Sequence, residues 1–273
     1  MTDALSPLPL ETLEFSVADS VAMVTLARLA ARNAINPQMR RELGAVTRHI
    51  QRDVSIRAVV LTGAGEHFSA GGDLQGMRDV GAGEMRQRLS EAHAYLTDLL
   101  HLDRPVIAAV DGVAYGAGFS LALAADLVVA STRARFCMAF MRVALVPDYG
   151  AFYTLPRVVG LQRAKELIYS AREVSATEAL ALGLVLEVRP PEDVLPRALA
   201  IAHGMKHASP TAFGLAKRAL NQSYESSLQT MLDLEAAAQS VAIATPEYNE
   251  ARARFAAKQQ PAYQWPADTP ARK

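Results

Sequence analysis

Two short, almost wholly apolar runs constrain this chain more than any other feature. Arg57–Thr62 and Val106–Val110 each read as a strand buried on both faces. Each is followed by a glycine-containing turn, Phe68-Ser-Ala-Gly-Gly-Asp-Leu74 and Asp111-Gly-Val-Ala-Tyr-Gly-Ala-Gly118, and then by helical spacing. Strands buried on both faces need helices to cover them, so the fold class is α/β. Leu13–Val17 and Val21–Leu26 add two strands joined through Ala18-Asp19-Ser20. Asn36-Pro37 opens a helix to about Arg52, with Asn as cap and Pro at the first helical position. Glu84–Leu102 has helical spacing, and Leu127–Ala130 reads as another buried strand.

The character changes after Ala171. Ser175-Ala-Thr-Glu178 is a capping box, Leu184–Val188 reads as a last strand, and from Pro191 the pattern is helical. Ser209-Pro210 and Thr245-Pro246 repeat the cap-plus-proline start. The expected division is an α/β core over 1–190 and a helical C-terminal region over 191–273, with no low-complexity linker between them.

Charge and cysteine content narrow the function. Lys plus Arg and Asp plus Glu are both 28, and phosphate backbones need a basic excess, so no nucleic-acid partner is expected. The most apolar stretch, Pro105–Ser131, is broken by Asp111, Asp126 and three glycines, which is wrong for a membrane span. Cys137 is the only cysteine, so neither an intrachain disulfide nor a cysteine metal cluster is possible. With no basic residue before Phe15, the start does not read as a signal peptide, and a cytoplasmic protein is expected. No His-Glu-x-x-His pattern occurs, and no metal is expected. Gly63-Ala-Gly65 and Gly116-Ala-Gly118 lack the third small residue of a dinucleotide fingerprint, since Phe68 and Leu121 stand there.

The two turns themselves carry chemistry. Small residues let backbone approach a ligand, and a helix N-terminus offers free N–H groups. Two such turns aimed at one point would hold an oxyanion; the alternative is that both are tight turns for packing. A rival lies inside the second turn. Gly118-Phe-Ser120-Leu-Ala122 is one residue short of a nucleophile elbow, with Asp126 or Asp148 and His203 or His207 following in the order a serine hydrolase needs. Against it, Asp111–Gly118 separates the strand from the serine, and both histidines lie in a helical run. The plainer reading makes Ser120 a small residue on a packed helix.

Three segments together resemble the enoyl-CoA hydratase/isomerase (crotonase) family: Val59-Val-Leu-Thr-Gly-Ala-Gly-Glu-His-Phe-Ser-Ala-Gly-Gly-Asp-Leu74, Ala108-Ala-Val-Asp-Gly-Val-Ala-Tyr-Gly-Ala-Gly-Phe-Ser-Leu-Ala-Leu-Ala-Ala-Asp126 and Leu155-Pro-Arg-Val-Val-Gly160. The resemblance implies a crotonase-like spiral of strand-strand-helix units, a helical tail that builds homotrimers or homohexamers, and an acyl-CoA substrate held as a thioester enolate. CoA is then part of the substrate, and no separate cofactor is implied. By position, the backbone N–H groups of Gly72 and Ala117 would form the oxyanion hole. Arg32-Asn-Ala-Ile-Asn36 matches the early motif that touches CoA. Arg32, Ala34, Ala70, Gly71, Asp73 and Leu74 fall on the CoA path, and Phe255 and Lys258 match positions that reach a neighbouring subunit's CoA. For Arg32 and Lys258 the alternative is a solvated surface charge. Asp73, Asp126 and Arg157 read as structural. Phe119, Ser120, Phe140 and Met141 suggest an acyl pocket, each with core packing as the alternative.

The chain departs from the hydratases of that family. Their two glutamates correspond here to Ser120 and Phe140. Serine at its ordinary pKa is a poor base, and phenylalanine moves no proton. Asp148, in Leu145-Val-Pro-Asp-Tyr-Gly150, remains, and the segment is similar to the branch that isomerises enoyl-CoA double bonds and ring epoxides of phenylacetyl-CoA. An isomerase needs one base. The expectation is therefore an isomerase using Asp148. A hydratase using another acid (Glu66 or Glu84) and a non-catalytic CoA-ester binder are the alternatives, and Asp148 as a mere helix cap remains open.

Overall fold

The alternation in the sequence builds two sheets. In the computed structural model, which describes residues 10–267, β1 (Leu13–Ala18) and β2 (Val21–Leu26) pair antiparallel. α1 (Pro37–Arg52) follows, its Asn36 side chain accepting the Met39 N–H. Then come β3 (Ala58–Gly63), α2 (Ala82–Leu100), β4 (Val106–Val110), β5 (Val113–Tyr115), α3 (Ala117–Leu123), β6 (Leu127–Ser131) and β7 (Arg135–Cys137). α4 (Ala151–Val159), α5 (Leu161–Ser170), β8 (Glu173–Ser175), α6 (Ala176–Ala181) and β9 (Glu187–Arg189) complete the α/β part. The larger sheet runs β1-β2-β3-β4-β6-β9, parallel from β2 onward, and the smaller runs β5-β7-β8. The first strand of each unit joins one sheet, and the second joins, or bridges to, the other. Ile35 bridges to Gly72, and Ser69 bridges to Ala114 of β5. The chain therefore winds as the expected spiral of strand-strand-helix units.

The central strands face two cores with a period of two. Val59, Leu61, Val106, Ala108 and Val110 enter the core shared with α1, α2 and the smaller sheet. Ala58, Val60, Ile107 and Ala109 enter the other. That second core is completed by Val194, Ala198, Ile201 and Ala202 of α7 (Pro191–Met205). The helical region is thus continuous with the α/β body through its first helix.

Some local expectations shift. Leu184–Val188 is not a strand throughout: the Leu184 N–H closes α6 by donating to the Ala179 carbonyl, and β9 begins at Glu187. The capping box at Ser175 is half made. Its hydroxyl accepts the Glu178 N–H at 3.2 Å, while the Glu178 carboxylate pairs with Arg172 at 2.7 Å instead of returning to the cap. β5, β7 and β8, three residues each, had no sequence signal.

α8 (Pro210–Gln222) is tied to the body by charge. Lys217, 6% exposed, donates to Asp126 at 2.8 Å, and Asp126 also accepts the Val106 N–H. Asp126→Ala would strand a buried ammonium with only the Leu99 carbonyl at 3.4 Å. The expected loss in a urea melt is about 2–3 kcal/mol, below that of a fully buried pair because the aspartate side chain keeps 21% exposure. α9 (Leu228–Ala242) and α10 (Pro246–Ala256) contain no buried residue. Among the described residues no helix is long and apolar enough to cross a membrane.

Candidate active site

The two glycine turns converge. The first turn is stitched to the early segment: Ile35 N–H donates to the Gly71 carbonyl at 2.7 Å, and Asp73 N–H donates to the Ile35 carbonyl at 3.1 Å. It is stitched to the second turn as well, Ser69 N–H to Val113 O and Tyr115 N–H to Ser69 O, both at 3.0 Å. The contact is close enough to require glycine. A Cβ built on Gly71 would stand 2.6 Å from the Tyr115 carbonyl oxygen, and one on Gly118 would stand 2.7 Å from the Ser69 Cβ. Gly118→Val should therefore push the turns apart and lower both stability and activity; calorimetry and a turnover assay on the same preparation check this.

Ala117 is the first residue of α3, so its N–H has no partner within the helix. Among the described residues, neither the Gly72 N–H nor the Ala117 N–H has an acceptor. Both residues line one cavity of about 180 Å³, together with Ala70, Gly71, Leu74, Met77, Phe140, Val143, Leu145 and Asp148. The cavity, which Arg142 also lines, thus combines two free donors, an apolar wall and one carboxyl.

Asp148 is held by an unusual stretch of backbone. Tyr149 (φ 51°) and Gly150 (φ 75°) are both left-handed, a conformation costing about 1 kcal/mol or more at the tyrosine. The turn delivers the chain into α4, whose cap is Gly150. The Asp148 carboxyl does not cap that helix; its Oδ1 is buried without a hydrogen-bond partner among the described residues. Burial pushes this carboxyl up to about 6, with the Arg40 guanidinium pulling the other way.

The other expected residues divide. Ala70, Gly71, Leu74 and Phe140 line the cavity. Phe119 and Ser120 do not. Phe119 is buried against Phe136, with ring centroids 5.1 Å apart, and the buried Ser120 hydroxyl donates to the Gly116 carbonyl at 3.2 Å. Both lie on faces of α3 that are packed into the core and not on the cavity side. Met141 is exposed and also lies outside the cavity lining. Arg32 is exposed, with its carbonyl accepting the Ala70 N–H, and Ala34 is buried beside it. Asp73 pairs with Arg28 at 3.0 Å. Phe255, at 85% exposure, and Lys258 lie at the end of α10 and line no part of this cavity. Arg157 stacks on the Tyr153 ring at 3.4 Å.

The serine-hydrolase triad does not assemble. His203 lies against Asp19 at 3.4 Å, Asp126 is taken by Lys217, and Ser120 is buried in α3. The two other acids also stand apart from the cavity: Glu66 pairs with Arg133 and Glu84 with Arg88.

Sequence reasoning missed Arg28 and Asn33. Asn33, fully buried, donates to the Ala64 and His67 carbonyls at 2.9 and 2.7 Å and accepts the Arg28 N–H. It clamps the loop that carries the first turn. Its place inside Arg32–Asn36 was the available signal.

A family model described as enoyl-CoA hydratase/isomerase matches residues 16–266. The chain belongs to the enoyl-CoA hydratase/isomerase family. It is 35% identical over 239 residues to the short-chain-enoyl-CoA hydratase of Clostridium acetobutylicum, covering 87% of this chain and 92% of that one. It is also 35% identical over 251 residues to the 1,2-epoxyphenylacetyl-CoA isomerase of Escherichia coli K12, covering 90% and 96%. A crystal structure of an enoyl-CoA hydratase/isomerase from Cupriavidus metallidurans CH34 superposes with a TM-score of 0.90 at 45% identity, over 95% of this chain and 98% of that one. The spiral described above is the crotonase fold. As a member of this family the protein is an enzyme of acyl-CoA thioesters.

Proposed function

We propose that this protein is an enoyl-CoA isomerase in which Asp148 is the single acid and base. One observation carries the reading: among the described residues, Asp148 is the only carboxyl lining a cavity that also presents the Gly72 and Ala117 N–H groups. The positions of the two hydratase glutamates hold Ser120 and Phe140, and neither side chain can relay a proton to water.

The chemistry follows from the parts. A thioester carbonyl seated on the two N–H groups develops enolate charge when its α-proton leaves, and the donors stabilise that charge where it forms. Asp148, ionised above about pH 6, accepts the proton. It returns the same proton to the far carbon of the dienolate, on the same face, so the double bond migrates and no atom is gained or lost. A base with a pKa near the working pH can both take and return a proton. Leu74, Met77, Phe140, Val143 and Leu145 supply an apolar wall for the acyl chain. In this reading Arg32 meets CoA phosphates, Ala34 and Ala70 line the CoA path by backbone contact, and Phe255 and Lys258 serve a neighbouring subunit's CoA.

The hydratase reading keeps one supporting observation, the 35% identity to the Clostridium enzyme. Incubating the pure protein separately with 2-enoyl-CoA and 3-enoyl-CoA tests both. Migration of the double bond at constant mass is expected. Gain of water by 2-enoyl-CoA would make it a hydratase, and recovery of both esters unchanged would leave a binder.

The same reading makes the protein a trimer or a dimer of trimers. Leu228, Leu232 and Val241 of α9, Ile243 just after it and Phe255 of α10 are exposed, and clustered exposed apolar side chains suit an interface. A groove of about 650 Å³ runs between these helices and the end of α7. Light scattering at micromolar concentration is expected to give a mass of three or six chains. A monomer would remove Phe255 and Lys258 from the CoA site.

A further inference from the structure

Behind Asp148, three elements bring four polar side chains together. α1 supplies Arg40, α2 supplies Tyr95, and the turn before α4 supplies Asp148 and Tyr149. Arg40 lies one helical turn before Gly44, where α1 meets α2: a Cβ built on Gly44 stands 3.6 Å from the Tyr95 Cβ. The Tyr95 and Tyr149 rings meet edge-on, with centroids 6.1 Å apart. Nε and Nη2 of Arg40, both tyrosine hydroxyls and Oδ1 of Asp148 are buried and close no well-formed hydrogen bond among the described residues, with the Tyr149 hydroxyl lying near both Tyr95 and Arg40. Folded proteins pair such groups almost without exception, so a cluster of them beside one carboxyl gives up stability in favour of something else. Arg41 and Arg48 on the same helix are exposed, whereas Arg40 is turned inward.

The charges around Asp148 are few. Burial pushes the Tyr149 phenol up to about 12 and raises Tyr95 as well, so both face the carboxyl as neutral groups. Arg142 lines the cavity but is exposed to solvent. Arg40 is the cation that faces Asp148 from the protein side, and it does not line the cavity.

We propose that Arg40 is a positioning residue, whose buried guanidinium stands behind the Asp148 carboxyl and favours its charged form through space, without touching substrate. This rests on Asp148 being the base. A carboxyl buried here without a cation would hold its proton near neutrality, and a protonated carboxyl cannot accept one from the α-carbon.

The test reads Asp148 directly. An infrared difference titration follows its carboxyl band, assigned by the band's loss in Asp148→Asn. In the unmutated protein the band should titrate near pH 6. In Arg40→Met it should titrate about one to two units higher. The acid limb of the pH–turnover profile should move with it, with roughly two- to tenfold lower turnover at pH 7 that recovers at higher pH. Arg40→Gln serves if the methionine variant does not fold, and added guanidinium should partly restore turnover at pH 7 to either. An unmoved titration in either folded variant overturns the proposal. So does a carboxyl that is still protonated at pH 7.5 in the unmutated protein, which needs no variant. If the band shifts but Asp148→Asn remains active, the Arg40–Asp148 coupling stands and the isomerase reading fails instead.

Discussion

Asp148→Asn should remove nearly all turnover, by roughly 10²–10⁴-fold, while acyl-CoA binding stays close to that of the unmutated protein. Asparagine keeps the shape of the side chain but cannot take a proton. The remaining cavity wall (Leu74, Met77, Phe140, Val143 and Leu145) and both backbone donors are untouched. Since the carboxyl neither caps α4 nor accepts a hydrogen bond at Oδ1, the substitution breaks no contact that shapes the site. It also removes a buried charge that the fold disfavours, so above about pH 6 the melting temperature should hold or rise. Steady-state turnover and calorimetric CoA-ester binding on one preparation decide the matter. Turnover retained within a few-fold would move the base elsewhere.

The same carboxyl sets opposite pH dependences for activity and stability. Its pKa is raised, to about 6, relative to an unfolded chain. Activity should rise with pH through about 6 as the base ionises. The fold binds this proton more tightly than the unfolded chain does, so its contribution to stability is complete below the unfolded carboxyl range and is lost as pH climbs through about 6. In Asp148→Asn that loss should vanish from the pH dependence of unfolding.

The fold was legible where local chemistry and long-range packing agree. Asn36-Pro37 announced α1 because cap and proline act within one turn. Val106–Val110 announced a buried strand because both of its faces meet cores. β5, β7 and β8 escaped because three residues carry no period. At the site, the glycine turns could be read as donors, but their convergence depends on ladders between Ile35, Ser69–Gly72 and Tyr115, up to some eighty residues apart. For Phe119 and Ser120 the sequence left acyl pocket and core packing open, because closeness in sequence to Ala117 says nothing of direction, and a helix turns successive side chains through about 100°. Arg40 had a faint signal: it shares a helix face with Gly44 and Thr47, both buried, at the edge of the apolar stripe Met39, Leu43, Val46 and Ile50. An arginine on that face carries no mark that separates it from a solvated charge.

Ala117→Pro should cost roughly 10²–10³ in turnover with the fold retained, because it deletes one oxyanion donor and little else. The N–H it removes is at the first position of α3 and has no acceptor among the described residues, so no internal hydrogen bond is lost. The residue before it, Gly116 at φ 48° and ψ −122°, occupies the mirror image of extended backbone, which a glycine preceding proline can hold. Ala117→Gly keeps the N–H and should be mild. Ser120→Ala is the opposing control. It gives up a 3.2 Å bond to the Gly116 carbonyl, costing about 0.5–1.5 kcal/mol, and leaves the cavity unchanged, so turnover should barely move. A serine nucleophile would reverse the order, with Ser120→Ala dead and Ala117→Pro merely weakened. The three variants, checked for folding by circular dichroism and assayed together, separate backbone catalysis from side-chain catalysis in this turn. Loss of turnover in folded Ser120→Ala would remove the role assigned to Ala117.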